Sequence, residues 1–260
     1  MEIKRRLVTP ALAAEWLARN TNNRTIGRFR VEIMAKDMAD NNWVETHQPI
    51  AFNCNGSLKD GQHRLSAIVK SGCAQWMWVA TGLTYEAMDH IDTHRPRSDA
   101  DCLSMHGVAN AKAVTAVAAA MYNGIGSRNS TAAARRTRTE AIEFAIKHHE
   151  AIAFAVGHKF QRGMRSACAL APLARAWYTQ DHDRLREWIE CMQTGVVTCQ
   201  ADSAAASCYR FLITPNLLYG GSEQRVQIYA KVASALKSFC LRRPLVRLYA
   251  VSEEPFPIPD

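Results

Sequence analysis

The sequence predicts an α/β (α+β) N-terminal module followed by an α-helical domain, and three patterns lead to that prediction. Residues 49–60 contain two short segments, one on each side of a polar turn at 53–57, and this is the pattern of a β-hairpin. Residues 76–80 are rich in aromatic and β-branched side chains, which is typical of a buried strand. From Ser98 onward, apolar residues recur almost entirely at helical spacing.

The remaining elements are predicted in chain order. Thr9 and Pro10 suit the N-cap and first residue of a helix that ends near Asn20. A second helix at about 27–41 precedes the hairpin, and a third follows it to about Gly72. The helices predicted after Ser98 lie at 111–121, 139–149, 166–178, 182–192, 201–212 and 223–239, with a short edge strand at 245–250. We place the domains at 1–104 and 105–250, with an extended, mobile tail at 251–260.

The most informative stretch is the junction between the hairpin and the third helix, Asp60-Gly61-Gln62-His63-Arg64. A glycine lets the backbone approach an anion closely, and the N–H groups at a helix start point towards that anion. Arg64 adds a planar cation that suits phosphate oxygens. Asp-Gly is also a common hairpin turn, and His-Arg is often solvated helix surface. The local chemistry therefore leaves a phosphate site and an ordinary turn both open.

Three segments resemble motifs of one superfamily. The run DGQHRLSAI at 60–68 resembles the G-x-x-R phosphate-binding segment of the ParB/sulfiredoxin superfamily, and it is most similar to DGQHR-type ParB-like proteins of bacteriophages and bacteria. The segment at 20–24 resembles their N-x-x-N-R turn, and residues 91–98 resemble their I-D-T-G-R-x-R-S segment, with His94 at the glycine position. The resemblance covers about the first 40% of the chain and implies a small mixed sheet.

The resemblance also implies a nucleotide site for ATP or CTP, with Mg²⁺. Arg64 would neutralise the transferring phosphate, and Asp60 or Asp92 would position magnesium or the attacking hydroxyl. The cofactor-binding set it implies is Asn23, Arg24, Gly61, Gln62, His63, Arg64, Arg95 and Arg97. An interhelical turn at 20–24 and a helix-capping turn around Ser98 are the structural alternatives for the outer segments.

Members of this superfamily use the same pocket differently, so three functions stay open. The first is a nucleotide-dependent phosphotransferase or NTP hydrolase acting on or near DNA. The second is a non-catalytic DNA-binding or regulatory protein, with nucleotide as a switch or absent. The third is a ParB-like nuclease. Gln62 stands where sulfiredoxins have their motif cysteine, which argues against sulfinic acid repair.

The net charge of +8 is concentrated in the second half of the chain. Residues 1–107 carry 13 Lys or Arg and 12 Asp or Glu, whereas residues 108–260 carry 19 and 12. A basic domain favours contact with DNA or another polyanion, although a flexible loop can simply be basic. The candidate nucleic-acid contacts lie in two loops: Arg135, Arg136, Arg138, Arg162 and Arg165.

The eight cysteines are scattered, without a C-x-x-C pair or a histidine at zinc-finger spacing. We therefore expect thiols in a reducing compartment and no structural metal site. No stretch approaches the roughly 18 uninterrupted apolar residues of a membrane helix, and residues 1–6 lack the apolar core of a secretory signal. The expectation is a cytoplasmic protein, in the host cytoplasm if it is phage-encoded, with no membrane partner.

Overall fold

The fold is mixed α/β and mostly helical in a computed structural model that describes residues 1–21, 23, 25–84, 97–125, 136–161, 163–214 and 221–259. Within those residues it contains eleven α-helices and one sheet of four strands. The expected mixed α/β class is therefore confirmed at this level. The chain forms two compact units: unit 1 is Met1–Pro96 with Asn129–Glu140, and unit 2 is Arg97–Arg128 with Ala141–Asp260.

Unit 1 contains the sheet and three helices. Its elements are β1 (Glu2–Val8), α1 (Pro10–Leu17), α2 (Arg28–Ala39), β2 (Ile50–Asn53), β3 (Leu58–Asp60), α3 (Gln62–Ser71) and β4 (Gln75–Leu83). The strand order is β1-β4-β2-β3, with β4 antiparallel to β1 and parallel to β2, and with β2 antiparallel to β3. The predicted hairpin, strand and three helices are confirmed.

The core of unit 1 lies between one face of the sheet and the three helices. Met77 and Val79 of β4 belong to the same buried cluster as Leu65 and Ile68 of α3. Trp16 of α1 packs edge-on against Phe52 of β2, with 5.2 Å between ring centroids. Thr9 caps α1 by accepting from the Leu12 N–H, as its position before Pro10 predicts.

The sequence did not predict β1. Its residues Lys4, Arg5 and Arg6 are consecutive cations, which hide the alternation by which strands are usually recognised. The strand forms because seven of its residues pair with β4, from Glu2 opposite Thr81 to Val8 opposite Gln75.

The segment around residue 137 belongs to unit 1, although its sequence position suggested the helical domain. Lys36 of α2 forms an ion pair with Glu140, and the buried Thr137 hydrogen-bonds Asp37. Burial opposes ionisation of Glu140, but hydrogen bonds from Lys36 and the Thr137 N–H outweigh it and lower the Glu140 pKa. These contacts hold the start of the helix at Arg138–Lys147 against α2.

The domain boundary we expected at residue 104 falls inside a helix of unit 2, Asp99–Met105.

Unit 2 is helical in the residues described. Its helices are α4 (Asp99–Met105), α5 (Ala111–Asn123), α6 (Arg138–Lys147, of which residues to Glu140 belong to unit 1), α7 (His149–Val156), α8 (Ala167–Ala176), α9 (His182–Thr194), α10 (Ser203–Ile213) and α11 (Ser222–Cys240). The helices predicted after Ser98 are confirmed, and the one expected at 139–149 divides into α6 and α7. Ser98 forms a capping box with Asp101 at the start of α4.

The C-terminal segment of unit 2 is packed against the helices. Phe256 is 1% exposed, and the buried Arg175 of α8 donates to the Phe256 carbonyl over 2.8 Å and to the Met121 carbonyl over 2.6 Å. Glu254 accepts from the Tyr229 hydroxyl over 2.8 Å. The expected edge strand at 245–250 is absent from these described residues, and the expectation of a mobile tail at 251–260 is wrong for the residues around Phe256, because it overlooked this aromatic anchor.

Among the residues that the structure describes, no helix combines the length and apolar character needed to cross a membrane.

We expect Phe256→Ala to lower the free energy of unfolding by about 3–5 kcal/mol, because it empties a fully buried aromatic site. Val246→Ala is the control in the same segment, since Val246 is 97% exposed, and it should change stability by less than about 0.5 kcal/mol. Chemical denaturation measures both. Equal effects of the two substitutions would show that Phe256 does not anchor the segment.

We also expect acid to destabilise unit 2 through His148, which is 3% exposed and hydrogen-bonds the Tyr178 hydroxyl over 2.7 Å. Burial lowers the pKa of His148, so the unfolded chain takes up a proton at higher pH than the folded protein does. The stability that neutral His148 contributes is therefore present above about pH 6.5 and is lost as the pH falls. In His148→Gln, the melting temperature should fall less between pH 7.5 and 5.5 than in wild type, and an equal fall would contradict this role of the buried imidazole.

Candidate functional site

The junction predicted from the sequence is formed where β3 ends and α3 begins. Gly61 lies between them at φ +98°, in the left-handed region that favours glycine. A Cβ on Gly61 would overlap Cδ1 of the buried Ile50 and lie 3.3 Å from its Cα. Both the backbone conformation and the close approach to β2 therefore require glycine here.

Asp60 places its carboxylate at the start of α3. Its Oδ1 accepts from the Gly61 N–H over 2.6 Å, and its Oδ2 accepts from Arg64 Nη2 over 3.0 Å. A carboxylate is favoured at a helix N-terminus because the helix dipole is positive there. Asp60 thus lies in the position that the sequence suggested for an external anion.

Arg64 points back into the protein rather than into solvent. It is 8% exposed, and it donates to the Gln48 carbonyl and, over 2.9 Å, to the Pro49 carbonyl. With the Asp60 contact, these bonds join α3 to the chain that enters β2. Arg64 therefore stabilises the turn by linking α3 to the segment before β2. Its expected contact with phosphate stays a prediction.

Asn20 and Asn23 lie beside the junction, and a nucleotide contact of Asn23 stays a prediction. Asn23 Nδ2 donates to the Leu58 carbonyl over 2.8 Å, and Asn20 Nδ2 donates to Gln62 Oε1 over 2.9 Å. Gln62 is 5% exposed, so its amide belongs to the interior of the junction. Among the described residues, the Asn23 Oδ1 atom has no donor, which leaves one acceptor for a ligand hydroxyl or amine.

His63 connects the junction to a second helix start. Its Nε2 accepts from the N–H of Gly27 over 3.0 Å, and Gly27 is the N-cap residue of α2. Because Nε2 accepts this bond, it carries no proton in this arrangement. The sequence placed a helix start at Gly27 but did not predict its contact with His63. A glycine directly before a charged helix, without a Ser, Thr, Asp or Asn cap, is the signal that could have indicated it.

The other predicted nucleotide contacts stay predictions. Arg24, Asp92 and Arg95 lie outside the described residues, and Arg97 is an exposed residue that belongs to unit 2. Of the three candidate catalytic residues, the structure therefore describes Asp60 and Arg64.

The five candidate nucleic-acid arginines are divided between the units. Arg135 and Arg162 lie outside the described residues. Arg136 and Arg138 flank Thr137 at the start of α6 in unit 1. Arg165 is exposed in a single 3₁₀ turn of unit 2. Their contact with nucleic acid stays a prediction.

A cavity in the core of unit 2 does not offer a second site. Phe160, Trp188 and Met192 are among its apolar lining residues, and its volume is about 10 Å³, room for about one water molecule.

Among the described residues, no three His, Cys, Asp or Glu side chains lie together as a metal site.

Comparison with protein-family models, curated proteins and solved structures found no match.

We expect Gly61→Ala to destabilise the protein by about 3 kcal/mol, because it adds overpacking against Ile50 to the cost of a left-handed alanine. Gly56→Ala is the matched control. Gly56 also has a positive φ, +77°, but no atom lies within 4 Å of its Cβ position, so only about 1 kcal/mol should be lost. Equilibrium denaturation measures the difference.

Ile50→Val removes the Cδ1 atom that overlaps, so Gly61→Ala should cost less in that background. Equal costs at Gly56 and Gly61, or strict additivity with Ile50→Val, would refute the close-approach argument.

Proposed function

We propose that the β3–α3 junction of unit 1 binds the phosphates of a nucleotide. The observation that carries the proposal is the left-handed Gly61 between a strand and a ten-residue helix, held tightly against β2. The packing against β2 fixes the position of the helix start, and the positive end of the helix attracts an anion. The His63–Gly27 hydrogen bond brings the start of α2 to the same place, which adds a second positive helix end.

Arg64 is a positioning residue in this proposal. Its bonds to Asp60 and to the carbonyls of Gln48 and Pro49 hold the turn in shape. Asn23 Oδ1 supplies an acceptor beside the turn for a ribose hydroxyl or a base amine.

Asp60 makes the proposed binding depend on a cation. Its carboxylate is an anion at the same helix end, and its ion pair with Arg64 leaves no net positive charge there. A nucleotide phosphate placed beside the carboxylate oxygens is repelled by them. Mg²⁺ binds carboxylate and phosphate oxygens together and removes this repulsion. Asp60 is the described residue that would hold the ion, and ATP or CTP is the nucleotide we propose to test first.

Phosphoryl transfer or hydrolysis is the narrower form of the proposal. It requires that the phosphate be transferred to a hydroxyl or to water, with Asp60 positioning the ion or the attacking group. Release of labelled phosphate from ATP or CTP, or its transfer to an acceptor hydroxyl, separates this enzyme from a protein that only binds nucleotide.

We expect ATP or CTP to raise the melting temperature of the wild-type protein, and to do so more strongly with Mg²⁺ than with EDTA. Asp60→Asn removes the negative charge but keeps an acceptor oxygen, so binding by this variant should depend less on Mg²⁺. Asp183→Asn is the control, because the Asp183 side chain is 85% exposed on α9, in unit 2. Calorimetric titration gives the affinities.

The proposal fails if no nucleotide binds. It also fails if nucleotide binds with the same Mg²⁺ dependence in wild type and Asp60→Asn, since Asp60 would then lie outside the site.

A further inference from the structure

The first turn of α2 carries two arginines at a place where cations are unfavourable. Arg28 and Arg30 are both exposed, the turn contains no acidic residue, and Gly27 supplies no capping side chain. The start of a helix is positive, so each cation there costs free energy in the protein alone. Among the described residues, no carboxylate pairs with either arginine, and Glu32 of the same helix pairs with Lys70. A bound polyanion would compensate this cost.

Arg30 occupies the helix position from which a side chain reaches back to the N-cap. It is the third helical residue after Gly27, where a Glu or Gln of a capping box would bond the N-cap N–H. In this protein His63 Nε2 accepts from that N–H over 3.0 Å instead. Arg30 Cβ and His63 Nε2 both lie within 4.0 Å of the point that a Cβ on Gly27 would take. The Arg30 guanidinium is therefore within reach of the space beside His63.

Arg64, the arginine of the α3 start, is already engaged by protein oxygens. It pairs with Asp60 over 3.0 Å and donates to the carbonyls of Gln48 and Pro49. Arg30 has no such contacts among the described residues, so its planar set of donors stays available for bidentate bonds to phosphate oxygens.

We infer that Arg30, rather than Arg64, is the guanidinium that binds the phosphates of the ligand, with Arg28 adding attraction at longer range. This inference rests on the proposed function, because it names the residue of α2 that completes the same site. It also accounts for two cations at a positive helix end, which the packing of unit 1 does not require.

The position of Arg30 indicates which class of nucleotide the site takes. Asp60 lies at the start of α3 and Arg30 in the first turn of α2, and the His63 side chain spans the distance between these two helix starts. A di- or triphosphate can contact both helix starts at once, whereas a single phosphate group contacts one of them. The ligand is therefore a nucleoside di- or triphosphate.

Calorimetric titration of the full chain with ATP and with CTP, in the presence of Mg²⁺, tests this inference. Arg30→Gln should weaken binding on the order of tenfold, because it removes charge-assisted bonds to phosphate. Arg30→Lys, which keeps the charge but not the planar fork, should recover part of the loss. Arg28→Gln removes the same charge from the same turn and should have a smaller effect. Arg243→Gln, at an exposed position of unit 2, should bind as wild type does.

Two further measurements separate a ligand contact from a structural role of Arg30. Ligand-free Arg30→Gln should melt at the wild-type temperature or slightly above it, because a cation has been removed from a positive helix end. The ratio of affinities for a nucleoside triphosphate and its monophosphate should shrink in Arg30→Gln, because the variant loses a contact to the outer phosphates.

Wild-type affinity in Arg30→Gln would overturn this inference and leave the proposed function standing. An equal loss in Arg28→Gln would also overturn it, since general attraction rather than a contact would then explain the effect. So would a lower melting temperature of ligand-free Arg30→Gln, which would make the role of Arg30 structural. If the wild-type chain binds no nucleotide with or without Mg²⁺, the proposed function fails, and this inference fails with it.

Discussion

The contact between the Gly61 turn and Ile50 is the constraint on which the geometry of unit 1 depends. Ile50 lies in β2, between β3 and β4, and its side chain is fully buried. The turn that starts α3 passes so close to Ile50 that the structure leaves no room for a Cβ atom on residue 61. A larger residue would move either the helix or the central strand. The position of the α3 N-terminus, and with it Asp60 and His63, is therefore set by packing beneath the turn.

Buried arginines hold the irregular segments in both units. Arg64 donates to carbonyls before β2, Arg175 donates to the carbonyl of Phe256, and Arg184 donates to the carbonyl of Phe239 and lies 3.6 Å from the centroid of its ring. A buried guanidinium costs free energy unless its donors find acceptors. Carbonyls in loops and near helix ends have lone pairs that can accept these bonds. Each of the three arginines also contacts a carboxylate, that of Asp60, Glu254 or Asp202. Each group thus satisfies the other, which explains why these cations are found in the interior.

The engagement of Arg64 changes the chemistry expected at the junction. From the sequence, its guanidinium is the obvious phosphate ligand. In the structure it is bound to protein oxygens, so the attraction for an anion rests on the helix ends and is opposed by Asp60.

The sequence alone determined the local elements. Residues 49–83 contain the hairpin, helix and strand that their turn residues and apolar spacing predict, and the Thr9 and Ser98 caps are where the hydroxyls predict them. These features depend on neighbours within a few residues. Only the tertiary structure decided that β1 is a strand, that Thr137 and Glu140 pack on α2, that Phe256 is an anchor and that Arg64 faces inward. Each of those outcomes depends on a partner far along the chain, and the free energy that fixes it comes from burial and pairing with that partner, which no local pattern records.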